Sequence, residues 1–153
     1  MQITHTSSQL RLLHQAVLEI VAFINRPQRD EVLIREAGIA LDRALFPLLV
    51  CTERFGPIGV VEMADRVGRD YTTVSRQFAK LEELGLVKRQ GSPRDGRVTQ
   101  AAVTRKGKAM TNRIDAARER LLRAIFQKWS ARDVSELLRL MQKFSAAIHS
   151  AET

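Results

Sequence analysis

A chain of 153 residues, 44% hydrophobic and 27% charged, has the composition of one globular core and excludes wholesale disorder. Its 25 basic and 17 acidic residues leave a net charge of +8, which points to a polyanionic partner, either nucleic acid or an acidic membrane surface. The single cysteine, Cys51, cannot form an internal disulfide, and the longest apolar run, 45–51, is far too short to span a bilayer. Arg11, His14 and Glu19 interrupt any signal-peptide core, so the expectation is a soluble, cytoplasmic protein with no membrane association.

Taken in chain order, the spacing of Leu10, Leu13, Val17, Ile20, Val21 and Ile24 predicts an amphipathic helix over 8–25, closed by Pro27. Asp30 is a candidate cap for a short helix ending near Gly38. Leu45, Leu48, Leu49 and Thr52 suit a helix over 41–55 with Asp42 as its cap. Pro47 inside it demands a late start or a kink, because proline lacks an N–H and crowds the preceding turn. Residues 56–59, Gly-Pro-Ile-Gly, read as a turn.

A short helix over 60–67 should turn Met63, Ala64 and Val67 inward. Gly68 and Arg69 make the next turn, and Asp70 caps a longer helix over 71–84 with Val74, Phe78 and Leu81 on its core face. Gly85 ends it. Two helices on a tight turn form a helix-turn-helix. The period then changes. Residues 86–90 suit a strand, 91–96 are dense in turn formers, and 97–104 suit the returning strand, with Thr99, Ala101 and Val103 alternating. A helix-turn-helix followed by such a hairpin is a winged helix, so the expected class is mostly α with a small β-hairpin wing. Past Arg105 a long helix carries Ile114, Ala117, Leu121 and Ile125 on one stripe. Ser130 and Asp133 open a last helix bearing Val134, Leu137, Leu138, Met141, Phe144 and Ile148.

The charge gathers on this hairpin and the helix before it. Between Arg69 and Lys108 stand ten basic and four acidic residues, a net +6 out of +8. Opposite the core stripe of the 71–84 helix lie Thr72, Thr73, Arg76, Gln77 and Lys80, with Ser75 in the same helix. These side chains suit a major groove: Arg bonds guanine bidentately, Gln pairs with adenine, and Thr serves phosphates or a thymine methyl. Arg94 and Arg97 project from the hairpin tip, a shape able to enter a narrow minor groove. Asp95 between them repels phosphate, so its task is to hold Arg97 by a charge-assisted hydrogen bond or to shape the turn. Lys88, Arg89, Arg105, Lys106 and Lys108 are generic phosphate partners or solvated charges.

Several of these runs resemble the MarR (multiple antibiotic resistance regulator) family of winged-helix transcription factors. Gly56-Pro57-Ile58 with Val60-Val61-Glu62-Met63-Ala64 is similar to its GPLTVSELA segment. Residues 69–76 resemble its DRSTVTR helix start, and 81–89 its LEERGLVER run. Asp95-Gly96-Arg97, followed by Val103-Thr104 and Gly107, fits the wing signature Asp-x-Arg … Leu-Thr-x-x-Gly. The resemblance implies one MarR-like domain over 1–153, a DNA-binding winged helix over 41–107, and helical dimerisation segments at 5–27 and 108–150. It implies a homodimer on a palindromic double-stranded operator, more often a repressor, with Thr72, Thr73 and Arg76 in the major groove and Arg97 in the minor groove. The two long apolar stripes agree independently, since a twofold partner covers what one small monomer cannot. Two positions depart from the pattern: Pro47 falls where the family continues its second helix, and Gly96 replaces the common middle Arg of the wing.

Family members respond to small aromatic acids, to oxidation of a reactive cysteine or to a metal. The sequence names no effector here. Cys51 sits among Leu48, Leu49 and Val50 and reads as packing, away from the N-terminal position of the peroxide sensors. His5, His14 and His149 do not fall at ligand spacing with carboxylates, so neither a metal nor another cofactor is expected. No nucleophile triad, carboxylate pair or phosphate-cradling glycine loop suggests an enzyme. Two other classes compete: a winged-helix adaptor that binds protein, and a non-specific DNA-coating protein. Retention of Thr72, Thr73, Arg76 and Arg97 argues against the adaptor.

Overall fold

The computed structural model describes residues 5–97 and 99–152, so Val98, within the expected returning strand, lies outside the described residues. Seven helices and three strands follow one another in this order among the described residues: α1 (Ser7–Ile24), α2 (Pro27–Ala37), α3 (Phe46–Phe55), β1 (Ile58–Gly59), α4 (Val60–Val67), α5 (Tyr71–Glu83), β2 (Val87–Gly91), β3 (Thr99–Val103), α6 (Arg105–Ile125) and α7 (Ala131–Ala151). This is a winged helix with long flanking helices. The chain divides into two compact units, one reaching Ala117 and the other beginning at Arg118.

Local chemistry sets most boundaries. Thr6 and Gln9 form a reciprocal capping box at the start of α1. Pro27 both closes α1 and opens α2, because its missing N–H costs nothing in a first helical turn. Asp30 therefore lies inside the first turn of α2, where its charge meets the helix dipole, and is not the cap. Pro47 has the same effect on α3, which starts late at Phe46. Asp42 caps the turn before that helix instead: its Oδ1 accepts from the Ala44 N–H at 2.8 Å, and its carbonyl from the Leu45 N–H at 2.9 Å.

The core of the first unit is built where α3, α4 and α5 meet the sheet. Leu48, Leu49, Met63, Val74, Phe78, Leu81, Ala101 and Ala117 are wholly buried, and Ile58, Leu86, Val87 and Ile114 nearly so. The sheet order is β1-β3-β2, all antiparallel, with Ile58 and Arg89 both opposite Ala101 and Val87 opposite Val103. Strand β1 falls within the expected turn over 56–59, because two residues carry no periodicity and only pairing with β3 makes them a strand.

Helices α1 and α7 bury little within one chain. Helix α1 has no buried residue, and Leu10, Leu13, Leu18, Ile20 and Ile24 are about half exposed. In the second unit α7 likewise has no buried residue, with Leu138, Met141 and Ile148 exposed, as are Leu122, Ile125 and Trp129 before it.

Candidate nucleic-acid interface

Helix α5 begins at a cap that is doubly used. Asp70 Oδ1 accepts from the Thr73 N–H at 2.9 Å, and Oδ2 accepts from the Thr73 hydroxyl at 2.6 Å. The hydroxyl bond, and after it the backbone bond, hold the Asp70 carboxyl below the ordinary carboxylate range. The cap has a consequence for Thr73. Its one hydroxyl proton is committed to Asp70, so towards nucleic acid it offers a methyl group and lone pairs but no donor for a phosphate.

The remaining expected readers divide by exposure. Thr72, Arg76 and Lys80 are exposed, whereas Thr73, Ser75 and Gln77 are half-buried. Thr73, Arg76, Gln77 and Lys80 come together around a cavity of about 200 Å³, whose other wall is Asp42, Ala44 and Leu45 ahead of α3. The opposite face of α5 carries Val74, Phe78 and Leu81 at zero exposure, which fixes the rotation of the helix about its axis.

At the wing tip Arg94, Asp95 and Arg97 are all exposed. The Arg94 N–H donates to Ser92 Oγ at 3.3 Å, and the Arg97 N–H donates to Asp95 Oδ1 at 3.0 Å. Asp95 thus shapes the turn through the backbone of Arg97 and leaves its guanidinium to solvent.

The base of the wing is tied to the end of α5 by Thr104 and by Lys106, one of the cations read as generic. The Thr104 hydroxyl donates to the Gly85 carbonyl at 2.6 Å and accepts from the Gly107 N–H at 3.0 Å. The Thr104 N–H donates to the Leu86 carbonyl at 3.0 Å, and Lys106 Nζ to the Leu84 carbonyl at 2.9 Å. These bonds satisfy carbonyls left open at the end of α5 and explain why threonine and glycine stand three residues apart. Arg89 pairs with Glu82 at 3.3 Å and lies 4.9 Å over the Phe78 ring, while Lys108 pairs with Glu53 at 2.6 Å. Three of the five generic cations therefore have internal partners, although all five are exposed.

Sequence reasoning places Arg69 in a turn and in the charge count but misses its hydrogen bonds. Its Nη1 donates to the Ala44 carbonyl at 2.6 Å and to Gln77 Oε1 at 2.7 Å. Position in the turn between α4 and α5 was the one available signal. Cys51 is buried, and burial pushes its thiol up in pKa against a weaker opposing pull from Arg66, which disfavours the reactive thiolate. Among the described residues no three of His, Cys, Asp and Glu are placed to hold a metal, and no helix is long and apolar enough to cross a membrane.

Residues 41–99 match the family model described as MarR family. The chain is 30% identical over 129 residues to YxaD, an uncharacterised HTH-type transcriptional regulator of Bacillus subtilis (strain 168), covering 84% of this chain and 90% of that one. It belongs to the MarR family. The MarR fold extends through the flanking helices. A MarR family protein from Bacillus stearothermophilus superposes with a TM-score of 0.75 at 18% identity, covering 95% of this chain and 99% of the other. The transcriptional regulator Tm0710 from Thermotoga maritima does so with a TM-score of 0.68 at 21% identity, covering 92% and 96%. This MarR-family chain is a DNA-binding transcriptional regulator and not an enzyme.

Proposed function

We propose that this MarR-family protein is a cytoplasmic homodimer that represses transcription by occupying a palindromic operator, reading each half-site with α5 and bracing it with the wing. The observation that carries the reading is the division of α5. Val74, Phe78 and Leu81 are sealed in the core, so Thr72, Arg76 and Lys80 are held rigidly outward. In this reading Arg76 contacts a base edge, Lys80, Ser75 and Thr72 serve the backbone, and Thr73 turns its methyl group to a thymine methyl. Arg97 enters the minor groove with Arg94 beside it, on a turn oriented by Asp95.

The homodimer rests on the uncovered stripes of α1 and α7. Rows such as Leu10, Leu13 and Ile20, or Leu138, Met141 and Ile148, are too large and too regular to be left in water. A twofold partner covers both and sets two α5 helices about one DNA turn apart. A small-molecule effector acts in this scheme by changing that separation.

The test is in-vitro selection from random duplex DNA with the purified full-length protein at about 150 mM salt, where non-specific binding is suppressed. An inverted-repeat motif with half-sites about one turn apart is expected. A folded dimer that enriches no motif refutes specific operator binding and turns the interpretation to an adaptor or a DNA coat.

A further inference from the structure

We propose that Arg69 is a specificity-determining positioning residue, which turns the Gln77 amide so that α5 presents chiefly a donor to the base at that position. The proposal rests on the operator-reading function above and goes beyond it by assigning a base preference. Arg69 lies in the turn between α4 and α5, after Gly68, whose left-handed φ of 68° ends α4. From there one nitrogen, Nη1, reaches two carbonyl oxygens, that of Ala44 at 2.6 Å and Oε1 of Gln77 at 2.7 Å. A guanidinium has donors only, so the group facing it must be the amide oxygen and never the nitrogen. The orientation of the Gln77 amide is thereby fixed by chemistry.

The other end of the amide is free to work. Among the described residues Nε2 makes no hydrogen bond, and none of their side-chain nitrogens or oxygens is both buried and without a partner. Nε2 is therefore reached by solvent, and Gln77 lines two cavities, one with Thr73, Arg76 and Lys80 and one with Arg69. An untethered glutamine pairs with adenine by donating to N7 and accepting from the N6 amino group. Oε1 keeps a second lone pair, but its direction is set by Arg69, so the donation from Nε2 dominates. Guanine, which shows two acceptors at N7 and O6, becomes the better partner, and cytosine, which shows a donor at N4, the worst.

The experiment is selection from random duplex DNA with the full-length wild type and four variants. Gln77→Ala marks the position of the motif that depends on residue 77, where its preference disappears. Wild type is expected to favour guanine there, and Arg69→Ala to shift the guanine-to-adenine ratio about tenfold towards adenine while the rest of the motif persists. Arg69→Lys keeps the wild-type profile, because one ammonium nitrogen can also donate to both carbonyls. Gln77→Glu preserves an acceptor for Arg69 but removes the donor, so guanine is lost and cytosine gained; this arm stands even if Arg69→Ala fails to fold. A wild-type motif with adenine at that position, or one unchanged in Arg69→Ala, overturns the positioning role and leaves the regulator reading intact. Retained guanine in Gln77→Glu does the same. The absence of any motif with wild type overturns the operator reading and this inference with it.

Discussion

Gly107 is where the link from α5 to β2, the end of β3 and α6 press together, and replacing it with alanine tests that junction. A Cβ there would fall within the Leu86 carbonyl oxygen and 2.6 Å from Val103 Cγ2. Neither neighbour can yield cheaply. The Leu86 carbonyl already accepts from the Thr104 N–H, and Val103 pairs with Val87 across the sheet. Relief requires α6 to retreat from the start of β2, which stretches the Thr104–Gly85 and Gly107–Thr104 hydrogen bonds. Overpacking of this kind costs about 1–3 kcal/mol or more, whereas the helix-propensity gain of alanine over glycine is at most about 1 kcal/mol and smaller in a first turn. A net loss of about 2 kcal/mol lowers Tm by roughly 4–8 °C in a chain of this size. Thermal unfolding followed by circular dichroism, at one fixed protein concentration, measures it. Gly96→Ala is the control, since a Cβ there meets nothing within 4 Å, and its Tm should stay near wild type. A Gly107→Ala protein as stable as wild type would falsify the close-packed junction.

Arg76→Ala should lose preference at one base pair per half-site, at a cost of roughly 1–3 kcal/mol, and an unchanged selection profile removes it from base reading. Arg97→Ala should weaken operator binding without altering the mass seen by sedimentation; monomers there would move this residue to the dimer interface. Asp70→Asn keeps a capping oxygen but removes the titration. Because the folded Asp70 carboxyl sits below its unfolded value, its contribution is full above the unfolded pKa and fades as pH falls through the folded one. The Tm difference between wild type and Asp70→Asn should therefore shrink on acidification, and a difference independent of pH rules out the carboxylate as its source. Leu138→Asp, placed on an exposed stripe of α7, should convert dimers to monomers in sedimentation while the first unit keeps its fold.

How much of this was legible beforehand follows from the range over which each interaction acts. Helices α4 and α5, their glycine and aspartate boundaries, and the face formed by Val74, Phe78 and Leu81 were readable because caps and apolar periodicity are local. The meaning of Pro47 was readable for the same reason, as one residue dictates where a helix can begin. Asp42 and Asp30 were misplaced as caps because a local signal says that some N–H needs an acceptor, not which turn supplies it. Strand β1 could not be read at all, since two residues become a strand only by pairing with Ala101 and Gln100, more than forty positions away.

The amino-acid sequence by itself determined the winged-helix class, the basic segment between Arg69 and Lys108, the core face of α5 and the membership of a regulator family. Only the tertiary structure decided how those charges are divided. Arg89, Lys106 and Lys108 turn to internal partners, Thr73 spends its proton on Asp70, and Arg69 takes the oxygen of Gln77. A side chain's type is written in one residue, but whether its donors remain free depends on acceptors brought within 3 Å by the fold, and for Lys108 and Glu53 those acceptors lie 55 residues away.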